Sequence, residues 1–275
     1  FFLDFRRDAA IKSGKPVMHP DLIWLVLAFF TIALLYASAG FGGGSSYLAI
    51  LSLGLTEFYE IRTIALLCNL TVVSGSVWLF YKRGHLDWNL CIPFTLASIP
   101  LAYLGASFRL EEQVFFSILG AALLISSLAL GYQSVRHRFR IPKKHRYTRS
   151  LTYLLGGAIG MLSGLVGIGG GIFLAPVLNH LKWDLPIKIA ALASFFILVN
   201  SLSGLAGLVT AGTFTVSWIP ALALMAAVLA GGQIGIRLTL NRFTANGIRM
   251  VTAVLVFLVG LRVLLVNGMG FEMLP

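Results

Sequence analysis

Gly40-Phe41-Gly42-Gly43-Gly44 and Gly167-Ile168-Gly169-Gly170-Gly171 each interrupt a long stretch free of charged residues, and they hold matching places in the two halves of the chain. A helix crossing lipid must satisfy its backbone donors and acceptors within itself. Three consecutive glycines therefore predict a break, tolerated only against protein or a water-filled cavity. Such breaks near the bilayer midplane are one way in which membrane proteins expose backbone groups to a bound solute.

The surrounding composition fixes the solvent. Of 275 residues 58% are hydrophobic and 11% charged, and the mean hydropathy is +0.89; a soluble domain carries about 25% charged residues. Apolar segments run over 22–39, 45–55, 61–81, 86–108, 113–132, 150–166, 172–181, 186–210, 216–236 and 243–266. Most approach the roughly 20 residues needed to cross about 30 Å of hydrocarbon. The segments 45–55 and 172–181, each directly after a glycine run, are too short to cross and read as half-helices. The chain is thus expected to be an all-α, multi-pass membrane protein, with the lipid bilayer as its principal partner.

The formal charge of +11 points to the membrane and not to nucleic acid, because seven Lys and Arg fall in one loop, Arg136 to Arg149. That loop fits a cytoplasmic anchor under the positive-inside rule. Across it the halves align, the glycine runs at an offset of 127 and Leu104-Gly105 with Ile234-Gly235 at 130. The expected organisation is an N-terminal interfacial segment (1–20), membrane repeat 1 (21–135), the basic loop (136–149), membrane repeat 2 (150–266) and a C-terminal tail (267–275). Residues 1–20 mix Arg6, Arg7, Lys12 and Lys15 with apolar residues and lack the continuous core of a signal peptide.

Each repeat reads as a glycine-broken first segment followed by three transmembrane helices. If the broken segment crosses the membrane the repeats are parallel; if it turns back they are inverted. The inverted arrangement is favoured, because it puts Lys82-Arg83, the 136–149 loop, Lys182, Lys188, Arg237 and Arg242 on one cytoplasmic side.

The run Gly164-Leu165-Val166-Gly167-Ile168-Gly169-Gly170-Gly171-Ile172-Phe173-Leu174-Ala175-Pro176-Val177-Leu178 resembles the glycine-rich signature of the TauE/SafE family of sulfite exporters. Ala193-Ser194 followed by Asn200-Ser201-Leu202-Ser203-Gly204 is similar to that family's next helix. The resemblance covers about residues 22–266 and is weaker in the first half, where Ser45-Ser46-Tyr47-Leu48-Ala49 stands in place of the run ending in Pro176. It implies movement of small anions, such as sulfite or organosulfonates, across the bacterial cytoplasmic membrane. It does not fix the substrate, the direction or the coupling ion.

The stretches 22–56, 63–81, 88–108, 113–132, 150–181 and 189–236 hold no Asp, Glu, Lys or Arg. No charged side chain is therefore expected at the midplane, which leaves no carboxylate proton relay and no fixed cation there. An anion would have to be held by dipoles, and the N-termini of both half-helices supply them. Gly42, Gly43, Gly44, Gly169, Gly170 and Gly171 would let these ends approach an oxyanion. Ser45, Ser46, Asn69, Ser194 and Asn200 are the candidate side-chain ligands, with Thr71, Ser74 and Ser201 as further polar groups at lipid depth.

The competing explanation is packing. Gly156, Gly160 and Gly164 recur every four residues, as do Gly231 and Gly235, the small-xxx-small pattern of close helix pairs. Two glycine runs of three do not fit that pattern.

Neither Gly40-x-Gly42 nor Gly167-x-Gly169 continues into a nucleotide-binding motif or a Walker lysine. The five histidines do not cluster, and Cys68 and Cys91 read as small buried apolar residues. No cofactor or metal is called for. An intramembrane enzyme would need a nucleophile and base, which the spans lack, so catalysis is disfavoured. An anion channel with the same site, and a membrane assembly subunit whose glycines merely pack, are the alternatives to a transporter.

Overall fold

Every apolar stretch becomes helical in the computed structural model, which describes residues 20–52, 58–136, 148–241 and 245–268. The expected interfacial segment up to residue 19, the central part of the basic loop and the tail beyond residue 268 lie outside the described residues. In chain order the helices are α1 (Pro20–Ser38), α2 (Gly44–Leu51), α3 (Phe58–Lys82), α4 (Trp88–Ser107), α5 (Glu112–Arg136), α6 (Arg149–Val166), α7 (Gly171–His180), α8 (Pro186–Thr210), α9 (Trp218–Asn241) and α10 (Ala245–Arg262). A π-helical turn, Val263–Gly268, continues α10.

Helices α3, α4, α5, α6, α8 and α9 contain windows long and apolar enough to cross a membrane. Their outer faces carry large apolar side chains, such as Ile92 on α4, Ile125 on α5, Leu154 on α6 and Ile219 on α9, the last 81% exposed. Water would not tolerate such a surface, whereas lipid solvates it. Polar groups manage the helix ends. The Asp87 carboxylate accepts from the Asn89 N–H at 3.0 Å to cap α4, and Pro186 opens α8 where its missing N–H costs nothing.

The glycine runs do interrupt their helices. Gly167 ends α6 at φ 70°, while Gly43 and Gly170 stand at the N-caps of α2 and α7 with φ of 90° and 79°. Side chains avoid this left-handed region because Cβ crowds the following carbonyl.

After each break the chain turns back. Tyr47 on α2 stacks on Phe29 of α1 with ring centroids 4.6 Å apart, although 18 residues of continuous helix would separate them by about 27 Å. In the second half, Leu151 at the start of α6 and His180 at the end of α7 line one groove. A straight helix would hold them about 44 Å apart. Both breaks lie beside the middle of a long helix: Gly44 meets Asn69 of α3, and Gly169 and Gly171 pack on Ile197 of α8.

The spaced glycines do what their period implies. A Cβ on Gly156, Gly160 or Gly164 of α6 would strike the α4 backbone at Phe94, Ser98 or Ala102. On α9, Gly231 and Gly235 abut the carbonyls of Phe30 and Leu34 of α1. The third long helix of each half, α4 or α9, is thereby seated on the first helix of the other half. Cys68 and Cys91 are free and buried.

Candidate functional site

The first break is closed by a side chain. Asn69 is fully buried; its Oδ1 accepts from the Gly44 N–H at 3.0 Å, and its Nδ2 donates to the Ile168 carbonyl at 3.0 Å. A Cβ at Gly42 or Gly44 would run into that amide. These glycines therefore make room for Asn69, which caps α2 and ties it to the second break. Beside it the hydroxyls of Tyr36 and Ser46 are 2.7 Å apart. The Ser194 hydroxyl lies 3.0 Å from the Gly40 carbonyl and 3.0 Å from that of Ala190, which fastens α8 to the end of α1. Thr71 and Ser74 donate to carbonyls of their own helix.

The second break is less complete. Phe173 and Leu174 donate their N–H groups to the Gly170 carbonyl, but no acceptor for the N–H of Gly171 or Ile172 is found among the described residues. Beside it stand two buried hydroxyls with no partner, Ser163 Oγ and Ser201 Oγ, and both amide atoms of the buried Asn200, which precedes Ser201 on α8, are unpaired as well. Ser201 Oγ lies 2.9 Å from where a Gly169 Cβ would stand, and Ser163 Oγ 3.2 Å from that of Gly170. Buried polar atoms are usually paired, so several orphans along one short turn need an explanation.

One residue overturns a sequence expectation. Arg62 belongs to the first turns of α3, at the edge of a span, yet its side chain is 1% exposed. The guanidinium reaches the end of α6, with Nη2 at 3.3 Å from the Gly164 carbonyl and 3.4 Å from that of Leu165. It also lies over the rings of Phe58 and Phe115, at 5.8 and 5.1 Å. Its Nε is unpaired and 3.7 Å from where a Gly167 side chain would begin. A fixed cation therefore does stand beside the second break. Counting charges within spans missed it because a long side chain carries its charge several ångströms from its own Cα.

Between the two breaks lies a cavity of about 10 Å³, lined by Tyr36, Phe41, Gly42, Gly43, Gly44, Ser45, Ile168, Ile172 and Ile197. That is room for about one water molecule. Of the candidate ligands, Gly42–Gly44 and Ser45 line it, Asn69 packs on Gly42 and Gly44, Gly169–Gly171 lie between the lining residues Ile168 and Ile172, and Ser201 of α8 stands beside Gly169. No contact found among the described residues brings Asn200 to it. Ser46 and Ser194 are engaged just outside.

Two broken helices that meet beside the middles of long apolar helices are a pattern of multi-pass membrane transporters. The chain belongs to the sulfite exporter TauE/SafE family, whose model matches residues 25–263. It is 33% identical over 250 residues, covering 90% of this chain and all of the relative, to the probable membrane transporter protein y4hK of Sinorhizobium fredii. It is 26% identical to the probable membrane transporter protein YunE of Bacillus subtilis, covering 75% and 80% of the two chains. It is 24% identical to the probable membrane transporter protein MJ0441 of Methanocaldococcus jannaschii, covering 88% and 94%. No solved structure matches the chain. The family is one of membrane transporters and not of enzymes.

Proposed function

We propose that the protein exports sulfite or a related small sulfur oxyanion or organosulfonate across the cytoplasmic membrane, holding the anion near the midplane where α2 and α7 begin. The observation that carries this is the meeting of the two broken helices beside the middles of α3 and α8. The α7 N-terminus supplies about half a positive charge and uncommitted N–H groups, which suit an oxyanion. Gly42, Gly43, Gly44, Ser45, Ser46, Asn69, Gly169, Gly170, Gly171, Ser194 and Asn200 form the site and the frame that holds it.

The chain is an inverted duplication in this proposal. The offset of 130 carries Gly105 to Gly235, and that of 127 carries Leu34 to Met161. A Cβ on Gly105 would meet the Met161 carbonyl, as one on Gly235 would meet that of Leu34. The same contact made in both directions is what a pseudo-two-fold axis generates, and the fold-back after each break leaves three crossings per half.

A carrier is favoured over a channel because the cavity between the breaks is too small for a four-atom oxyanion. Substrate passage then needs a rearrangement at each cycle. Proteoliposomes loaded with sulfite test the proposal: protein-dependent, saturable flux is expected. Absence of flux with sulfite, thiosulfate and a short sulfonate alike would refute it.

A further inference from the structure

Burying an arginine without a carboxylate in a membrane bundle is costly, and such residues characteristically mark a solute pathway. Among the described residues no carboxylate is found paired with Arg62, and Asp184 is engaged by Lys188. The nearest acid in sequence, Glu60, has its Oε1 committed to the Ser217 N–H at 2.8 Å. Arg62 is left with two long bonds to the final carbonyls of α6 and two aromatic faces. Those carbonyls offset part of a unit charge, since a helix C-terminus carries about half a negative charge.

The two breaks also differ. At the first, Asn69 takes the Gly44 N–H and the unpaired side-chain atom is the neutral Tyr47 hydroxyl beside Gly43; the α8 cation next to Arg62's place under the repeat, Lys188, is paired with Asp184. At the second, the buried unpaired atoms of Arg62, Ser163 and Ser201 flank the Gly167–Gly170 turn, and the unpaired amide of Asn200 adjoins Ser201 in the sequence of α8.

We propose that the substrate site is one-sided: the anion is bound at the second break with Arg62 as its countercharge and Ser163, Asn200 and Ser201 as its neutral donors, while the first break is a strut sealed by Asn69. The proposal rests on anion transport through the breaks and adds a ligand to it. A bound oxyanion completes the coordination of Nε and neutralises a charge that the protein leaves open. Guanidinium is suited to this because it is planar, permanently charged and able to donate to two oxygens at once.

The alternative is that Arg62 only caps α6, and the experiment separates the two. Arg62→Gln keeps amide donors for the α6 carbonyls but loses the charge; Arg62→Lys keeps the charge. Sulfite flux in proteoliposomes and thermal unfolding of detergent-purified protein, with and without sulfite, are measured for both. The half-saturation concentration should rise about tenfold or more in Arg62→Gln and recover much of that in Arg62→Lys. Sulfite should raise the unfolding temperature of the wild type and fail to do so for Arg62→Gln. An unchanged half-saturation concentration in Arg62→Gln overturns the proposal. So does loss of folded protein in both variants, which is the signature of a structural cap. Wild-type protein without any sulfur-oxyanion flux would instead remove the transport function, whatever the Arg62 variants do.

Discussion

Asn69 Nδ2 donates a 3.0 Å hydrogen bond to the carbonyl oxygen of Ile168, 99 residues further along the chain, and so links one broken helix to the other. The same amide accepts from the Gly44 N–H. Replacing Asn69 by Leu strands a buried N–H and a buried C=O, each costing about 1–3 kcal/mol. The variant is expected to unfold several degrees below wild type in detergent, with Asn69→Asp, which keeps the acceptor, in between. Equal unfolding temperatures would show that the amide does not hold the breaks together.

Close packing of α6 on α4 has a sharp consequence. Gly164→Val should reduce the amount of protein in the membrane severely, because any Cβ there falls on the Ala102 carbonyl and overpacking costs about 1–3 kcal/mol. Gly131→Ala is the control. Its nearest neighbour is a methyl 4.0 Å away, so immunoblotting of membranes should find it at the wild-type level.

Gly170→Val tests the second break directly. Its φ of 79° is left-handed, and a Cβ would lie 2.9 Å from both Phe196 Cε1 and Ser163 Cβ. Left-handed backbone alone costs an L-residue about 1–2 kcal/mol. Flux is expected to fall to background while protein still reaches the membrane. Wild-type flux would exclude this turn from the transport path.

Orientation is testable by labelling. Cysteines introduced at Lys82 and Lys182 should react with an impermeant reagent from the same face, and one at Glu111 from the opposite face. Cys68 and Cys91 are buried and contribute little background. Reaction of positions 82 and 182 from opposite faces would replace inverted repeats with parallel ones.

Asn200→Ala removes a fully buried amide with neither atom bonded. The half-saturation concentration for sulfite should rise several-fold, as expected for a neutral hydrogen bond worth about 1 kcal/mol, with little change in unfolding temperature. A large stability loss at constant half-saturation would make it a packing residue.

Much of this architecture is written in local chemistry. Among the described residues the ten apolar segments became ten helices, because lipid accepts little else and charged residues mark most of their ends. The glycine breaks were legible since three glycines in a row exceed what helix packing needs, and the spaced glycines of α6 and α9 were legible as contacts because their period matches a helix face. Ser194 and Asn69 illustrate the limit. Composition marks them as polar groups at lipid depth, but whether a hydroxyl or amide meets a substrate or another backbone depends on which chain segment arrives opposite.

The sequence alone determined that the chain is a membrane-embedded helical bundle broken in two matched places, since hydropathy and glycine content act residue by residue. Only the tertiary structure decided that each broken helix turns back, that Asn69 fills the first break, and that Arg62 extends from the edge of α3 to the open end of α6. Those outcomes depend on contacts between residues from 18 to about a hundred positions apart, and a side chain's reach in space has no counterpart in its place along the chain.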